Sequence, residues 1–268
     1  MNTVSVAAAF LRRDFRINIS YRASFALQSL AILFQLALFF YLSRVVDQSV
    51  IERQGLSGGY FGYAAVGLAL LTIVQVSMGS FSVKLREEQT TGTFEALMTT
   101  PTSPWLIVLC SAGYELIRAT VAGLLLIGAA VVLFGLRLSV DPVSMATAAA
   151  ALLGCLGLFA SLGVAVAAAT VVIKRAAALL AFVITTLALL GGVYFPIEVL
   201  PEPIEKVASA LPFTWGVDVF RASLLGGEVD PAQLAGLLGS AALLLPVALL
   251  GFMAAVRRAR QTGTLAQY

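Results

Sequence analysis

Histidine is absent from all 268 residues, so histidine cannot serve this chain as a metal ligand, haem ligand or general base. The two cysteines, Cys110 and Cys155, stand inside apolar runs without a C-x-x-C spacing. We interpret them as small core residues rather than a disulfide or a metal pair. Charge is also scarce, since 12% of the residues are charged, whereas soluble domains carry roughly 25%.

Motifs of catalysis and nucleotide binding are missing as well. The sequence contains no G-x-x-x-x-G-K-[ST], no G-x-S-x-G and no H-E-x-x-H. It therefore predicts no P-loop, no catalytic residue, no metal site and no cofactor bound by this chain.

Hydrophobic residues make up 60% of the chain, and the mean hydropathy is +0.96. A helix of about 20 apolar residues crosses a bilayer, and a helix satisfies its own backbone hydrogen bonds in lipid. We expect an all-α integral membrane protein in which residues 1–268 form a single domain with six transmembrane helices. The expected spans lie at about 23–43, 60–82, 105–135, 143–171, 176–195 and 232–256.

Basic residues are distributed unevenly between the two predicted sides of the membrane. With six spans, twelve of the 17 Lys and Arg residues fall on the side of both termini and five on the other. Because positive charge accumulates on the cytoplasmic side, both termini are expected there, in a multi-pass protein of the cytoplasmic (inner) membrane. The first basic segment precedes a run long enough to span, so it is not read as a cleaved signal.

Residues 1–22 are predicted to form an interface helix. Ala8, Leu11, Phe15 and Ile19 recur at helical spacing, and the arginines of this segment lie elsewhere around the helix. This pattern is typical of a helix in the cytoplasmic headgroup layer. A plain basic topology anchor is the alternative.

The interval 82–104 is a polar break between two apolar spans. Gly92 should end the preceding helix, and Thr93 is the expected N-cap of a short helix with Glu95 in its first turn. The apolar face of that helix would be Phe94, Leu97 and Met98. Such a face fits a groove on a partner protein, or the helix is a structural loop tucked against the membrane.

The interval 191–231 contains five prolines and two short amphipathic segments. We expect extracellular re-entrant helices that rest in the outer leaflet after the fifth span, with an ordinary folded cap as the alternative. Within the spans, Gln28, Gln35 and Gln75 are candidates to line a pathway or to hold helices together. Glu115 and Arg118 are spaced to form an ion pair.

Two stretches resemble a known family. "REEQTTGTFEALMTTP" resembles the E-x-G-T-x-E-x-L-x-x-T-P pattern of ABC-2 type export permeases, and "GGVYFPIEVLPEPIEKVASALPFTWGVDVFR" resembles the proline-containing outer loop of the same family, which ends in an arginine. The first stretch would then be a coupling helix that docks in a cleft of an ATPase. The residues implied in this coupling are Glu87, Glu88, Gly92, Thr93, Phe94, Glu95, Leu97 and Met98.

The same resemblance implies the remaining partners. A second permease copy and a separate ABC ATPase would complete the assembly, with ATP and Mg bound by the ATPase, membrane lipids as neighbours and no nucleic acid. The outer gate candidates are Phe195, Pro196, Pro212 and Trp215.

The expected function is export of an amphiphilic or hydrophobic substrate, a drug-like compound or a lipid. Export of a lipid-linked polysaccharide is the alternative within the family. A membrane-embedded lipid-modifying enzyme or a scaffold is the alternative from another class.

Overall fold

The computed structural model describes residues 3–18, 22–45, 58–100, 102–172 and 177–262, and within these ranges the chain is helical without strands. The described residues also include a 3₁₀ turn at Ile197–Val199. The helices are α1 (Thr3–Asn18), α2 (Arg22–Leu42), α3 (Gly59–Thr90), α4 (Thr93–Met98), α5 (Pro104–Phe134), α6 (Pro142–Val172), α7 (Ala177–Leu190), α8 (Glu202–Ser209), α9 (Pro212–Leu225) and α10 (Pro231–Thr262).

Four of the described helices, α3, α5, α6 and α10, are long and apolar enough to cross a membrane. The first and fifth predicted spans correspond to α2 and α7, whose apolar stretches Leu30–Leu42 and Ala181–Leu190 are shorter. The 14 residues of α7 rise only about 21 Å, less than the roughly 30 Å of a hydrocarbon core. This helix ends at Leu190 and not at the expected residue 195, and its predicted start falls outside the described residues. The full count of six spans remains a prediction.

Helix α3 is the central helix of the bundle. Most of its membrane-length segment is buried, and it packs against α5, α6 and α9. The helix continues to Thr90, about two turns past the expected end of the second span at residue 82 and up to the glycine that was expected to end it. The acidic residues Glu87 and Glu88 therefore belong to the last turns of α3, because nothing in Lys84–Gln89 disfavours a helix. Gly92 then adopts φ +72° and turns the chain, as expected.

Small residues allow close packing of α6 against α10 and α3. A Cβ at Gly154 would lie 2.8 Å from Leu237 Cγ, and a Cβ at Gly163 would lie 2.6 Å from Phe81 Cδ2. Both positions therefore require glycine for the helices to approach as they do.

Helix α9 is inserted into the bundle. Phe213, Val217, Phe220 and Leu224 share one face and are all buried, against α6, α10 and α3. The ring of Phe213 meets that of Phe159 edge-on, with centroids 5.2 Å apart. The expectation that this face rests in the outer leaflet is thus corrected, since other helices cover it. We call the end of the bundle with α8, α9 and residues 191–200 the α9 end, and the opposite end, with α1 and α4, the α4 end.

Candidate functional site

Helix α4 is tied back to the helix that precedes it. The hydroxyl of Thr93 donates to the carboxylate of Glu88 and lies 3.3 Å from the Glu88 carbonyl oxygen. Thr91 Oγ1 is 2.9 Å from Thr93 Oγ1 and donates to the Glu87 carbonyl at 2.7 Å. The described hydrogen bonds of Thr93 therefore connect α4 to α3, in contrast to the predicted role as N-cap of α4.

Glu88 also joins α3 to α1. Its side chain is only 10% exposed, and its Oε1 lies 2.6 Å from Arg13 Nη1. Arg13 Nε donates to Asp14 Oδ1 at 2.9 Å. Burial disfavours the charged guanidinium, but the hydrogen bonds and charges of Asp14 and Glu88 outweigh burial and raise the pKa of Arg13. Arg13 therefore keeps its charge in the link between the two helices.

A second group of charges joins α3 to α5 at the same end. Lys84 Nζ lies 3.0 Å from Glu87 Oε2 and 4.0 Å from Glu115 Oε1. Glu115 Oε2 accepts from Arg118 at 2.7 Å, which confirms the predicted ion pair. The α4 end therefore carries two groups of alternating charges, one that joins α1 to α3 and one that joins α3 to α5.

An apolar cluster seats α1 and α4 on α5. Val6, Phe10, Ile107 and Cys110 are buried together, and Leu97 of α4 packs at their edge. The buried stripe of α1 is a different face from the one expected in the headgroup layer, of which Phe15 is 53% exposed and Ala8 is exposed. The contact of that second face with lipid stays a prediction. Leu97 consequently faces this chain, at least in part. The side chains of Phe94, Glu95 and Met98 lie outside the described residues, as does Ile19.

The glutamines predicted to face a pathway are only partly described. Gln35 on α2 and Gln75 on α3 are both exposed, whereas the side chain of Gln28 lies outside the described residues. Gln75 stands out because its neighbours along the central helix are mostly buried. A single chain thus leaves both amides uncovered.

The four gate candidates all lie at the α9 end. Pro196 is buried and Phe195 is half-buried ahead of the 3₁₀ turn, while Pro212 is the first residue of α9. Trp215 Nε1 donates to the Ser209 carbonyl at 2.7 Å. A Cβ at Gly236 would lie 2.9 Å from the Trp215 ring, so this indole packs between the end of α8 and α10.

Arg221 and Tyr63 form a contact that sequence reasoning missed. Arg221 is 2% exposed, and its guanidinium carbon lies 3.5 Å from the centroid of the Tyr63 ring. Arg221 Nη2 donates to the Gly192 carbonyl at 2.8 Å. A lone arginine on an otherwise apolar helix was the available signal, but Tyr63 is 158 residues away in sequence.

A cavity of about 170 Å³ lies beside this arginine. Asp218 Oδ1 is 3.5 Å from Arg221 Nη1, and Glu198, Glu228 and Asp230 also line the space. Among the described residues, no cluster of acidic or cysteine side chains has the arrangement of a metal site.

Residues 135–141 connect the start of α6 to α9. Ser139 N–H donates to the Leu224 carbonyl at 2.8 Å. Asp141 caps α6 by accepting the Ser144 N–H at 2.9 Å, and it also accepts the Ser139 hydroxyl at 2.7 Å. The backbone hydrogen bond first, and then the hydroxyls, lower the pKa of Asp141 to about 2.

Long apolar helices with a short helix held at one end define a multi-pass membrane protein. The model of the family "ABC-2 type transporter" matches residues 3–225, and the chain belongs to this family. The resemblance drawn from the two sequence stretches is thereby confirmed. No curated protein matches the chain. Members of this family are membrane subunits of transporters and typically work with an ABC ATPase.

Proposed function

We propose that the chain is the transmembrane subunit of an ATP-driven exporter. It would move an amphiphilic or hydrophobic substrate, a drug-like compound or a lipid, outward from the cytoplasmic side. A separate ATPase subunit would bind ATP and Mg and hydrolyse the nucleotide. Family membership supports the transport role, while the direction and the substrate class rest on the sequence and the architecture.

The attachment of α4 is the observation that carries this proposal. Thr93 connects α4 to Glu88 near the end of α3, and Leu97 seats it on the cluster shared with α1 and α5. Because α3 runs through the centre of the bundle, a force on α4 reaches the core through few contacts. A short helix that an ATPase can push is what coupling requires.

The proposed topology places the α4 end in the cytoplasm. Most basic residues lie on that side of the predicted spans, as the positive-inside rule requires. Helices α2 and α7 would complete six spans, and α1 would lie at the cytoplasmic membrane surface. Arg12, Arg16 and Phe15, which are exposed on α1, fit such a surface.

Two copies of the chain would form the pathway between them. Gln35 and Gln75 are exposed, and an amide directed toward lipid is unfavourable. The exposed apolar side chains of α2, such as Phe34 at 69% and Leu38 at 63%, are suited to lipid or to a second copy. A homodimer would cover both glutamines or place them along an amphiphile's route.

The test removes two apolar side chains of α4 that the sequence predicts to face the partner. We expect the double variant Phe94→Ala/Met98→Ala to bind the ATPase at least tenfold more weakly, since burial of each side chain contributes on the order of 1.5–3 kcal/mol before binding costs. Substrate-stimulated ATPase activity should fall with it. Membrane insertion should be unchanged.

Thr99→Ala is the matched control, because Thr99 is exposed on the same segment and bonds only locally to Ala96. It should copurify with the ATPase as the wild type does. If the double variant also copurifies normally and hydrolyses ATP at the normal substrate-stimulated rate, α4 is only a connection between two spans and the proposal fails.

A further inference from the structure

Arg221 has the largest side chain among the fully buried residues that the structure describes. Its charge is met by a ring face, by two carbonyl oxygens (Gly192 at 2.8 Å and Tyr63 at 3.3 Å) and by a carboxylate 3.5 Å away. Burial of a guanidinium is unfavourable unless such partners are held in place. Its position therefore depends on the segments that supply them.

Three segments that are distant in sequence meet at this guanidinium. Arg221 comes from α9, Tyr63 from the first turns of α3, and Gly192 from the turn that ends α7. Tyr63 Oη also donates to the Gly192 carbonyl, at 2.7 Å, so that one oxygen accepts two hydrogen bonds. Hydrogen bonds from the side chains of Tyr63 and Arg221 thus hold the outer turn to the central helix.

The fit around this contact leaves no spare room. A Cβ at Gly67, one turn below Tyr63 on α3, would lie 2.6 Å from the Val193 carbonyl oxygen and 2.9 Å from Arg221 Nη2. The turn at 191–193 fits against α3 at the glycine. A shift along α3 would bring it against larger side chains, so separation from α3 is the movement that this contact favours.

The cavity on the other side of Arg221 offers a second set of partners. Asp218 is one helical turn away on α9, and Glu198 and Asp230 face the same space of about 170 Å³. A guanidinium that leaves the Gly192 carbonyl can keep its contact with Asp218 and turn toward Glu198 and Asp230, so that it remains paired. Two arrangements of one side chain with comparable partners are the requirement for a bistable element.

We propose that Arg221 is a latch that holds the outer turn at 191–195 on α3 and releases it when the exporter opens outward. In the closed form it binds Gly192 and stacks on Tyr63. In the open form it pairs with the carboxylates of the cavity, and Phe195 and Pro196 move away from α3. The latch rests on the proposed exporter function, because it requires a pathway that opens at the α9 end.

The first experiment measures amide hydrogen exchange across 191–199 in the purified chain in lipid nanodiscs. Tyr63→Phe retains the ring and removes one hydrogen bond, and we expect exchange there to rise about fivefold. Arg221→Lys retains the charge and removes the planar fork, and we expect a rise of tenfold or more. Residues 142–150 at the start of α6 should be unaffected.

Lys206→Gln is the matched control, because Lys206 pairs with Glu202 on the exposed surface of α8. It should leave exchange across 191–199 unchanged. Tyr63→Phe is mild enough to retain the fold, which monodisperse elution will show. If neither latch variant raises exchange across 191–199, the latch is overturned.

The second experiment distinguishes a latch from a permanent brace and uses the wild-type complex with its ATPase. Addition of ATP and Mg should raise exchange across 191–199 and alter it across 82–104. A response at 82–104 alone overturns the latch and leaves the exporter standing. If neither segment responds to ATP, the exporter assignment fails and the latch fails with it.

Discussion

The two ends of the bundle hold their helices together by different means. At the α4 end, Arg13 and Lys84 pair with carboxylates of α3. Some of these side chains are partly exposed, such as Arg13 at 38% and Glu87 at 57%. At the α9 end, a single arginine that is 2% exposed bonds to two backbone carbonyls, stacks on a ring and lies 3.5 Å from one carboxylate, that of Asp218. Exposed ion pairs are weak and screened by salt, whereas a buried fork depends on one geometry.

This difference corresponds to the proposed roles of the two ends. A region that receives a partner subunit benefits from charges shared among several pairs, some of which, such as Lys84 with the exposed Glu87, contribute little by themselves. A region that must stay closed against leakage benefits from a contact that is either fully made or fully broken. The comparison can be tested by substitutions at each end.

The largest effect is expected for Arg221→Ala. Removal of the guanidinium leaves the Tyr63 carbonyl and ring without their buried partner and the Gly192 carbonyl with one hydrogen bond instead of two. Loss of one member of a buried charged contact typically costs about 3–5 kcal/mol of unfolding free energy. Chemical unfolding in detergent measures this loss. Lys206→Ala at the exposed α8 pair should cost less than about 1 kcal/mol. Equal losses from the two variants would contradict the contrast between the ends.

A smaller effect is expected for Glu88→Gln. The amide retains the shape of the side chain but removes the charge that Arg13 faces at 2.6 Å, which should cost about 1–3 kcal/mol. The cost should lie near the lower value because Arg13 is partly exposed. Limited proteolysis within α1 should accelerate as this helix detaches.

Glu87→Gln is the matched control for this substitution. Glu87 is the adjacent residue, and its pair with Lys84 lies at the surface, so the change should cost at most about 0.5 kcal/mol. If the two variants release α1 equally, Glu88 has no special role in holding α1 on α3.

The smallest effect is expected for Asp141→Ala, at the cap of α6. Loss of the cap should raise amide exchange only in the first turn, residues 142–145. Since the folded-state pKa is lowered to about 2, the stabilisation by the carboxylate is complete above its ordinary value near 3.8 and is lost as the pH falls through 2. Mild acidification to about pH 5 should therefore leave this turn unchanged, since the group stays ionised there. A rise in exchange at pH 5 that matches the alanine variant would contradict the assignment.

Local features of the fold followed from the sequence. Gly92 ends a helical unit, Glu115 pairs with Arg118, and the two amphipathic segments of the outer loop are helices, because each depends on residues within one or two turns. The end of α3 at Thr90 follows from Gly92, but the end of the second span at residue 82 does not mark the end of the helix. Charged residues at its end mark the edge of a membrane but do not stop a helix.

Contacts between distant segments could not be predicted in this way. Two such contacts are Arg13 with Glu88 and Arg221 with Tyr63. Each joins two helices whose relative position cannot be deduced from the spacing of residues in the sequence. The same limit applies to the apolar face of α9. Its periodicity indicates one covered side, but it does not distinguish cover by lipid from cover by α6.

The central claim is that α4 is where an ATPase meets this chain. The most direct measurement places a photo-crosslinking amino acid at the exposed position Ala96 of α4 and, for comparison, at Lys206 of α8, in the assembled transporter. Crosslinks to the ATPase from position 96, and none from position 206, are the predicted result. An ATPase that remains bound but crosslinks from neither position, or from position 206, would contradict the account.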